Sequence, residues 1–260
     1  MQDTSPMDNA LALMRDLRTR CDWDRAQTHG SLRPYLMEET HELDDALRSG
    51  DARLMREELG DVFLQVLFHA VIAEEEGAFD MADVANGMIA KMKARHPHLY
   101  GGGAREPWER MKARQRASIA DGLPLSLPPL HRAHRLQDRA AGVGFDWPDT
   151  DGPAAKVEEE LGEVREQLDH APQVAARPQA GEDEAAHAAL EAELGDLLFA
   201  AVNLCRKAGV HAALALDRAN AKFAHRFEGM EQIAAERGIA MRDAGLSQLD
   251  ALWDEVKAGE

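Results

Sequence analysis

One acidic signature occurs twice in this chain, and the duplication limits what it can fold into. Glu38, Glu39 and Glu42 precede Glu58 and Asp61; far downstream, Glu159, Glu160 and Glu163 precede Glu193 and Asp196. An α-helix returns to one side about every 3.6 residues, so the EExxE and ExxD spacings each put their acids on a shared face. Like charges held that close repel, and a proton or a bound cation relieves them. A donor set made only of oxygens suits hard cations, Mg2+ first and Mn2+ as the alternative. The pattern reads as a metal-dependent enzyme built from a duplicated helical module.

The repeat extends beyond the acids. Cys21-Asp22-Trp23-Asp24 is echoed by Phe145-Asp146-Trp147-Pro148, and Glu58-Leu59-Gly60-Asp61 by Glu193-Leu194-Gly195-Asp196. Lys91 and Arg95 match Lys222 and Arg226, and Trp108 and Lys112 match Trp253 and Lys257. Matching elements in one order argue for two tandem copies of one fold rather than for chance.

The fold class expected is all-α. Leu11 to Arg20, Leu32 to Leu47, Ala52 to Glu76 and Met81 to Arg95 are rich in strong helix formers, and no alternating run argues for a sheet. Ser49-Gly50-Asp51 reads as a short helix–helix turn with Asp51 as N-cap. Helix resumes over Leu130 to Ala141, Ala154 to His170, Ala185 to Lys207, Leu214 to Arg237 and Leu246 to Lys257. Prolines at 124, 128 and 129 mark 121–130 as the linker, which gives modules at 1–120 and 131–260. Ala171 to Asp183 reads as a flexible insertion in the second module.

Composition narrows the function. The chain has 47 acidic residues against 30 Lys and Arg, a formal net charge of −17, so a nucleic-acid backbone is a poor partner. Its cysteines, Cys21 and Cys205, form no CxxC motif, and reduced cytosol is the expected compartment. Met1 to Asn9 lacks the basic start and apolar run of a signal peptide, and Val62 to Ala73 falls short of the roughly 20 residues of a membrane span. A soluble cytoplasmic protein with no membrane partner is expected.

An isolated EExxE is ordinarily a solvated helix face. Here each ExxD leads straight into an apolar run, Val62 to Ala73 and Leu197 to Leu204, so the acids stand at the mouth of a core. The acids also recur where neighbours change: His41 in one copy is Gly162 in the other. Lys222 and Arg226, one turn apart, are candidates for phosphate oxygens or an ordinary solvated face. Trp253 is a candidate for stacking on a base or for core packing, with Lys257 beside it. His96 and His98 read as loop-ordering residues, and His131 and His134 as surface residues.

The duplicated EExxE…ExxD, the Trp23-Asp24-Arg25-Ala26-Gln27-Thr28-His29 stretch and the Val143-Gly144-Phe145-Asp146-Trp147-Pro148 stretch together resemble the MazG family of nucleoside triphosphate pyrophosphohydrolases. The resemblance covers nearly the whole chain. It implies four-helix-type modules that pair as a homodimer, and Mg2+-dependent conversion of NTP and water to NMP and pyrophosphate. It further implies broad use of ribo- and deoxyribonucleotides, in housecleaning of the nucleotide pool or a stringent-response role. By the same resemblance, metal is held by Glu160, Glu163, Glu193 and Asp196, and by Glu39, Glu42, Glu58 and Asp61 in the first module. Nucleotide contacts are implied for Lys156, Val157, Glu158, Glu159 and Glu160, for Lys222 to Arg226 and for Trp253, with the C-terminal module as the hydrolytic one.

The mechanism expected is in-line attack of water on the α-phosphorus, with Glu159 orienting the water or taking its proton, and Lys222 and Arg226 on the leaving pyrophosphate. Two rivals stand beside it. A ferritin-like di-iron bundle wants ExxH pairs, and Glu38/His41 and Glu184/His187 fit, but the repeat does not keep the first His. A nucleotide–Mg2+ sensor or scaffold would bind without product release.

Overall fold

The computed structural model describes residues 5–103, 108–114, 116–170 and 182–260. Among these residues every regular element is a helix, and the chain divides into two compact units, Met1–Arg105 and Glu106–Glu260. No helix of the described residues is long and apolar enough to cross a membrane.

The first unit holds α1 (Pro6–Arg20), α2 (Asp22–Ala26), α3 (Arg33–Ser49), α4 (Ala52–Glu75), α5 (Met81–Ala94) and α6 (Pro97–Tyr100). Local chemistry sets its boundaries. Ser5 and Asp8 form a capping box at α1, as Asp80 and Asp83 do at α5. Between α3 and α4 the chain reverses at Gly50, whose φ of 71° favours a residue without Cβ, and Asp51 accepts from the backbone N–H groups of Arg53 and Leu54. The reversal packs α3 against α4. Met14, Leu32, Leu67, Phe68, Val71 and Ile72 form the core, and burying each such side chain contributes about 1.5–3 kcal/mol relative to exposure. Arg18 is buried among the turns after α2, donating to the carbonyls of Asp24, Arg25 and Gln27 and pairing with Glu75. Helix α2, which carries Trp23, is thereby held against the core, with the indole edge-on to Tyr35 and Phe68.

The second unit holds α7 (Trp108–Ala113), α8 (Pro129–Gly142), α9 (Asp151–His170), α10 (Glu182–Lys207), α11 (Ala212–Glu236) and α12 (Leu246–Ala258). Here α9 packs on α10, α8 on α7, α10 and α11, and α11 on α12. Met230, Ala234 and Leu252 form the core between the last two helices.

Beside the proline-marked 121–130 segment, buried Arg139 donates to the carbonyls of Ile119 and Asp121 at 2.7 and 2.9 Å and ties them to α8. The structure departs from the sequence reading in two places. His131 and His134 are not surface residues but half-buried, their rings 4.9 and 4.5 Å from that of His211. The short helices α2, α6 and α7 form where the sequence reading marks no helix. Most of the 171–183 insertion lies outside the described residues; its last two positions open α10.

Candidate functional site

The two helical hairpins bring each acidic set together across a helix pair. On α9 and α10, one carboxylate oxygen from each of Glu160, Glu163 and Glu193 lies within 4.8 Å of the others. On α3 and α4, Glu39, Glu42 and Glu58 meet the same limit. Asp196 and Asp61, the expected fourth ligands, stand beside these groups and not within them: Asp196 lines the neighbouring cavity, and Asp61 is near enough to act electrostatically on Glu39.

The electrostatics reflect the crowding. Burial, followed by the charges of Asp61, Glu42, Glu58 and Glu38, pushes the Glu39 carboxyl above its ordinary range. Glu58 is raised in the same way by burial, Glu42, Asp61 and Glu57. In the second set Lys156 enters as a counter-ion, 2.6 Å from Glu160 and 2.9 Å from Glu159. Its hydrogen bond holds buried Glu160 below the ordinary range. Glu163 is pushed up, first by its hydrogen bond with Glu160, then by burial and the charges of Glu160 and Glu193. All-carboxylate donors at this spacing, with Glu39 and Glu58 pushed up by burial and then neighbouring charge and Glu163 by its hydrogen bond with Glu160, fit a hard divalent cation, which relieves the repulsion that otherwise only protons relieve.

A cavity of about 510 Å3 adjoins the second set. Its wall includes Lys156, Glu160 and Asp196 together with Leu136, Gln137, Phe145, Trp147, Phe199, Asn203 and Arg206. Asp146 fixes this wall: it accepts from Arg206 at 2.5 Å and Lys207 at 3.1 Å, and Lys207 also donates to the Trp147 carbonyl. Burial works against the Asp146 charge, but these hydrogen bonds hold its carboxyl below the usual range. Gly152 lies so close under the Trp147 ring that a Cβ there would collide with it. In the first unit a separate pocket of about 170 Å3 is lined by apolar side chains and Gly60, with none of Glu39, Glu42 and Glu58 in its wall.

The remaining nucleotide candidates sit elsewhere. Val157 is half-buried and Glu158 exposed on α9. Lys222 is exposed on α11, and Arg226 pairs with Glu260 at 2.6 Å while lying 5.6 Å over the Trp253 ring. Trp253 packs in the α11–α12 core against Phe223, and Lys257 stands 4.0 Å from Asp254. Among the described residues, none from α11 or α12 lines the cavity. Gln137, Asn203 and Arg206 belong to no motif that the sequence displays. The available signal is a polar residue inside a helix that is otherwise apolar at the same turn, such as Asn203 within the Leu197 to Leu204 run.

The MazG nucleotide pyrophosphohydrolase domain matches residues 27–100 and again residues 153–230. The chain belongs to the MazG family. It is 40% identical over 260 residues to a nucleoside triphosphate pyrophosphohydrolase/pyrophosphatase MazG of Thermotoga maritima, with 96% of this chain and 95% of that one covered. It is 41% identical over 270 residues to a nucleoside triphosphate pyrophosphohydrolase of Escherichia coli K12, with 98% of each covered. It is also 39% identical over 262 residues to the uncharacterised protein YabN of Bacillus subtilis, covering 96% of this chain and 51% of that one. The two MazG matches enclose both carboxylate groups, together with Lys156, Lys222 and Arg226; Trp253 and Lys257 fall outside them.

Proposed function

We propose that this chain hydrolyses ribo- and deoxyribonucleoside triphosphates to the monophosphate and pyrophosphate with Mg2+, Mn2+ serving as a substitute, and that the C-terminal module carries the turnover. The observation that favours this module is the joining of a carboxylate group, a counter-charged Lys156 and a 510 Å3 cavity whose wall includes Glu160 and Asp196. The relatives' names agree with the reaction class.

Glu160, Glu163 and Glu193 would hold the cation, with Asp196 beside them. Bound there, it supplies charge neutralisation on the phosphates and makes water more acidic. The chain's own groups do the rest. Glu159, exposed and held by Lys156, orients the attacking water and takes its proton, while Lys156 brings positive charge to the end of the cavity where phosphates would lie. Water adds to the α-phosphorus, the α–β bridging bond breaks, and pyrophosphate leaves with that bond's electron pair.

Lys222, Arg226, Trp253 and Lys257 serve the phosphates and nucleoside, on this reading, from a second copy of the chain. Exposed Leu198 and Phe199 on α10 and Phe223 and Phe227 on α11 give a homodimer its apolar surface. Housecleaning of the cytoplasmic nucleotide pool, or modulation of the stringent response, is the corresponding cellular role. Glu163→Gln against Glu42→Gln tests the module assignment: the first should lower kcat by at least about a hundredfold and the second by less than about threefold. Equal losses would contradict it.

A further inference from the structure

One lysine stands among the acids of the second module, and the first module carries a tyrosine in its place. Lys156 on α9 puts Nζ 2.6 Å from Glu160 and 2.9 Å from Glu159, each one helical turn away. Glu160 is one of the three acids whose oxygens meet within 4.8 Å, and its side chain is 6% exposed, against 39% for Lys156. An ionised carboxylate buried without a partner is strongly destabilising, and Lys156 is the positive charge that compensates Glu160 here.

The duplication supplies a comparison within the chain. Lys156 stands three residues before the EExxE acids Glu159 and Glu160; three residues before Glu38 and Glu39 stands Tyr35. Both positions lie inside a helix, Tyr35 on α3 and Lys156 on α9, so each is one turn before its buried-side Glu. Tyr35 is 41% exposed and meets the Trp23 ring edge-on at 6.1 Å. A phenol in that place brings no positive charge to Glu39. The two groups of acids therefore differ in one respect that bears directly on a cation: only the second has a charged competitor built into its own helix.

We propose that Lys156 is a placeholder for the divalent cation: it neutralises Glu160 in the ligand-free site and moves to the phosphates when nucleotide arrives, so that cation and triphosphate load the second module together. The proposal rests on the hydrolytic reading above and deepens it. An ammonium carries three donors on a flexible four-carbon stem, so Lys156 keeps Glu159 and exchanges Glu160 for a phosphate oxygen. Lys156 and Glu160 line the same 510 Å3 cavity, which puts both ends of the exchange in one wall. Beside Glu160, the ammonium opposes a divalent ion by like-charge repulsion; beside a triphosphate, it supports one. Each ligand thereby raises the affinity of the site for the other, as linkage requires. The first module, with Tyr35 in this position, takes the cation without waiting for a nucleotide.

Mn2+ titration of the full chain, followed by electron paramagnetic resonance of the free ion, tests this without turnover. A Glu42→Gln background weakens the first group of acids, so that the titration reports Glu160, Glu163 and Glu193. In it, Lys156→Met should lower the Kd for Mn2+ alone about tenfold. The same variant should raise the Kd for α,β-methylene ATP, which resists α–β cleavage, about tenfold when measured by calorimetry in saturating Mn2+. Lys156→Arg keeps the charge and should hold both values within about threefold of wild type. Shifts of opposite sign are the signature, because a lysine that only stabilises the fold moves neither Kd or weakens both. An Mn2+ Kd unchanged or raised in folded Lys156→Met, or an analogue Kd that does not rise, overturns the proposal. If Lys156→Met does not fold, Tyr35→Lys in a Glu163→Gln background makes the test: Mn2+ should bind the first group about tenfold more weakly, and an unchanged Kd overturns the proposal. If Mn2+ and the analogue bind as expected but ATP yields no AMP and pyrophosphate, the hydrolytic reading alone fails.

Discussion

Replacing Asp146 by Ala removes the anchor of the cavity wall, and its cost follows from the hydrogen bonds that Ala cannot make. The carboxylate accepts from Arg206 at 2.5 Å and from Lys207 at 3.1 Å, with side-chain exposures of 22% for Asp146, 10% for Arg206 and 18% for Lys207. Hydrogen bonds to charged groups contribute about 1.5–3 kcal/mol each, and stripping one partner from a buried pair costs about 3–5 kcal/mol. Arg206 keeps its bond to Asn203 and Lys207 keeps the Trp147 carbonyl, so the net destabilisation should sit near the low end, about 2–3 kcal/mol. For a unit of this size that lowers Tm by about 4–12 °C. The matching Asp22 of the first module is 98% exposed and pairs only locally with Arg25, so Asp22→Ala should cost less than about 1 kcal/mol. Thermal unfolding followed by circular dichroism reads both. Because the folded state holds Asp146 below its ordinary value of 3.8, its stabilisation is complete above that pH and is lost as pH falls further. Equal Tm for wild type and Asp146→Ala at neutral pH would refute the reasoning, as would a gap that persists undiminished in strong acid.

Gly152→Ala should push the Trp147 ring out of place at a cost of about 1–3 kcal/mol, seen as a shifted tryptophan emission and a raised nucleotide KM. Raised pKa values at Glu39, Glu58 and Glu163 mean that the metal-free clusters destabilise the fold above their folded pKa values and that this penalty is relieved as pH falls through them. A divalent cation should therefore raise Tm by more at about pH 8 than at about pH 5, measured against EDTA; an increment independent of pH would contradict the clusters as its site.

Local signals carry most of the fold. Helix-forming runs, Asp51 and Asp80 as caps and Gly50 as the turn residue act within a few positions, so the long helices are legible to within a few residues at each end. α2, with five residues and no side-chain cap, leaves too little periodicity to read. The carboxylate groups are legible because each half of a cluster lies within one turn of helix and the halves meet across one hairpin. Gln137 with Phe199, 62 residues apart, and Asp146 with Arg206, 60 apart, are not, because only tertiary packing joins them. The same holds for His131 and His134, whose polar character suggests solvent until α11 brings His211 against them. The carbonyls of Ile119 and Asp121 that Arg139 engages, 20 and 18 residues away, are likewise not legible in the sequence.

The chemistry assigned to this chain turns on cleavage between the α- and β-phosphates at a carboxylate-held cation. Product analysis after incubating the purified chain with ATP, with Mg2+ and separately with EDTA, tests it most directly. AMP and pyrophosphate in equal amounts with Mg2+, and no turnover with EDTA, are the expected result. ADP and phosphate, or AMP and pyrophosphate formed equally well in EDTA, would contradict it.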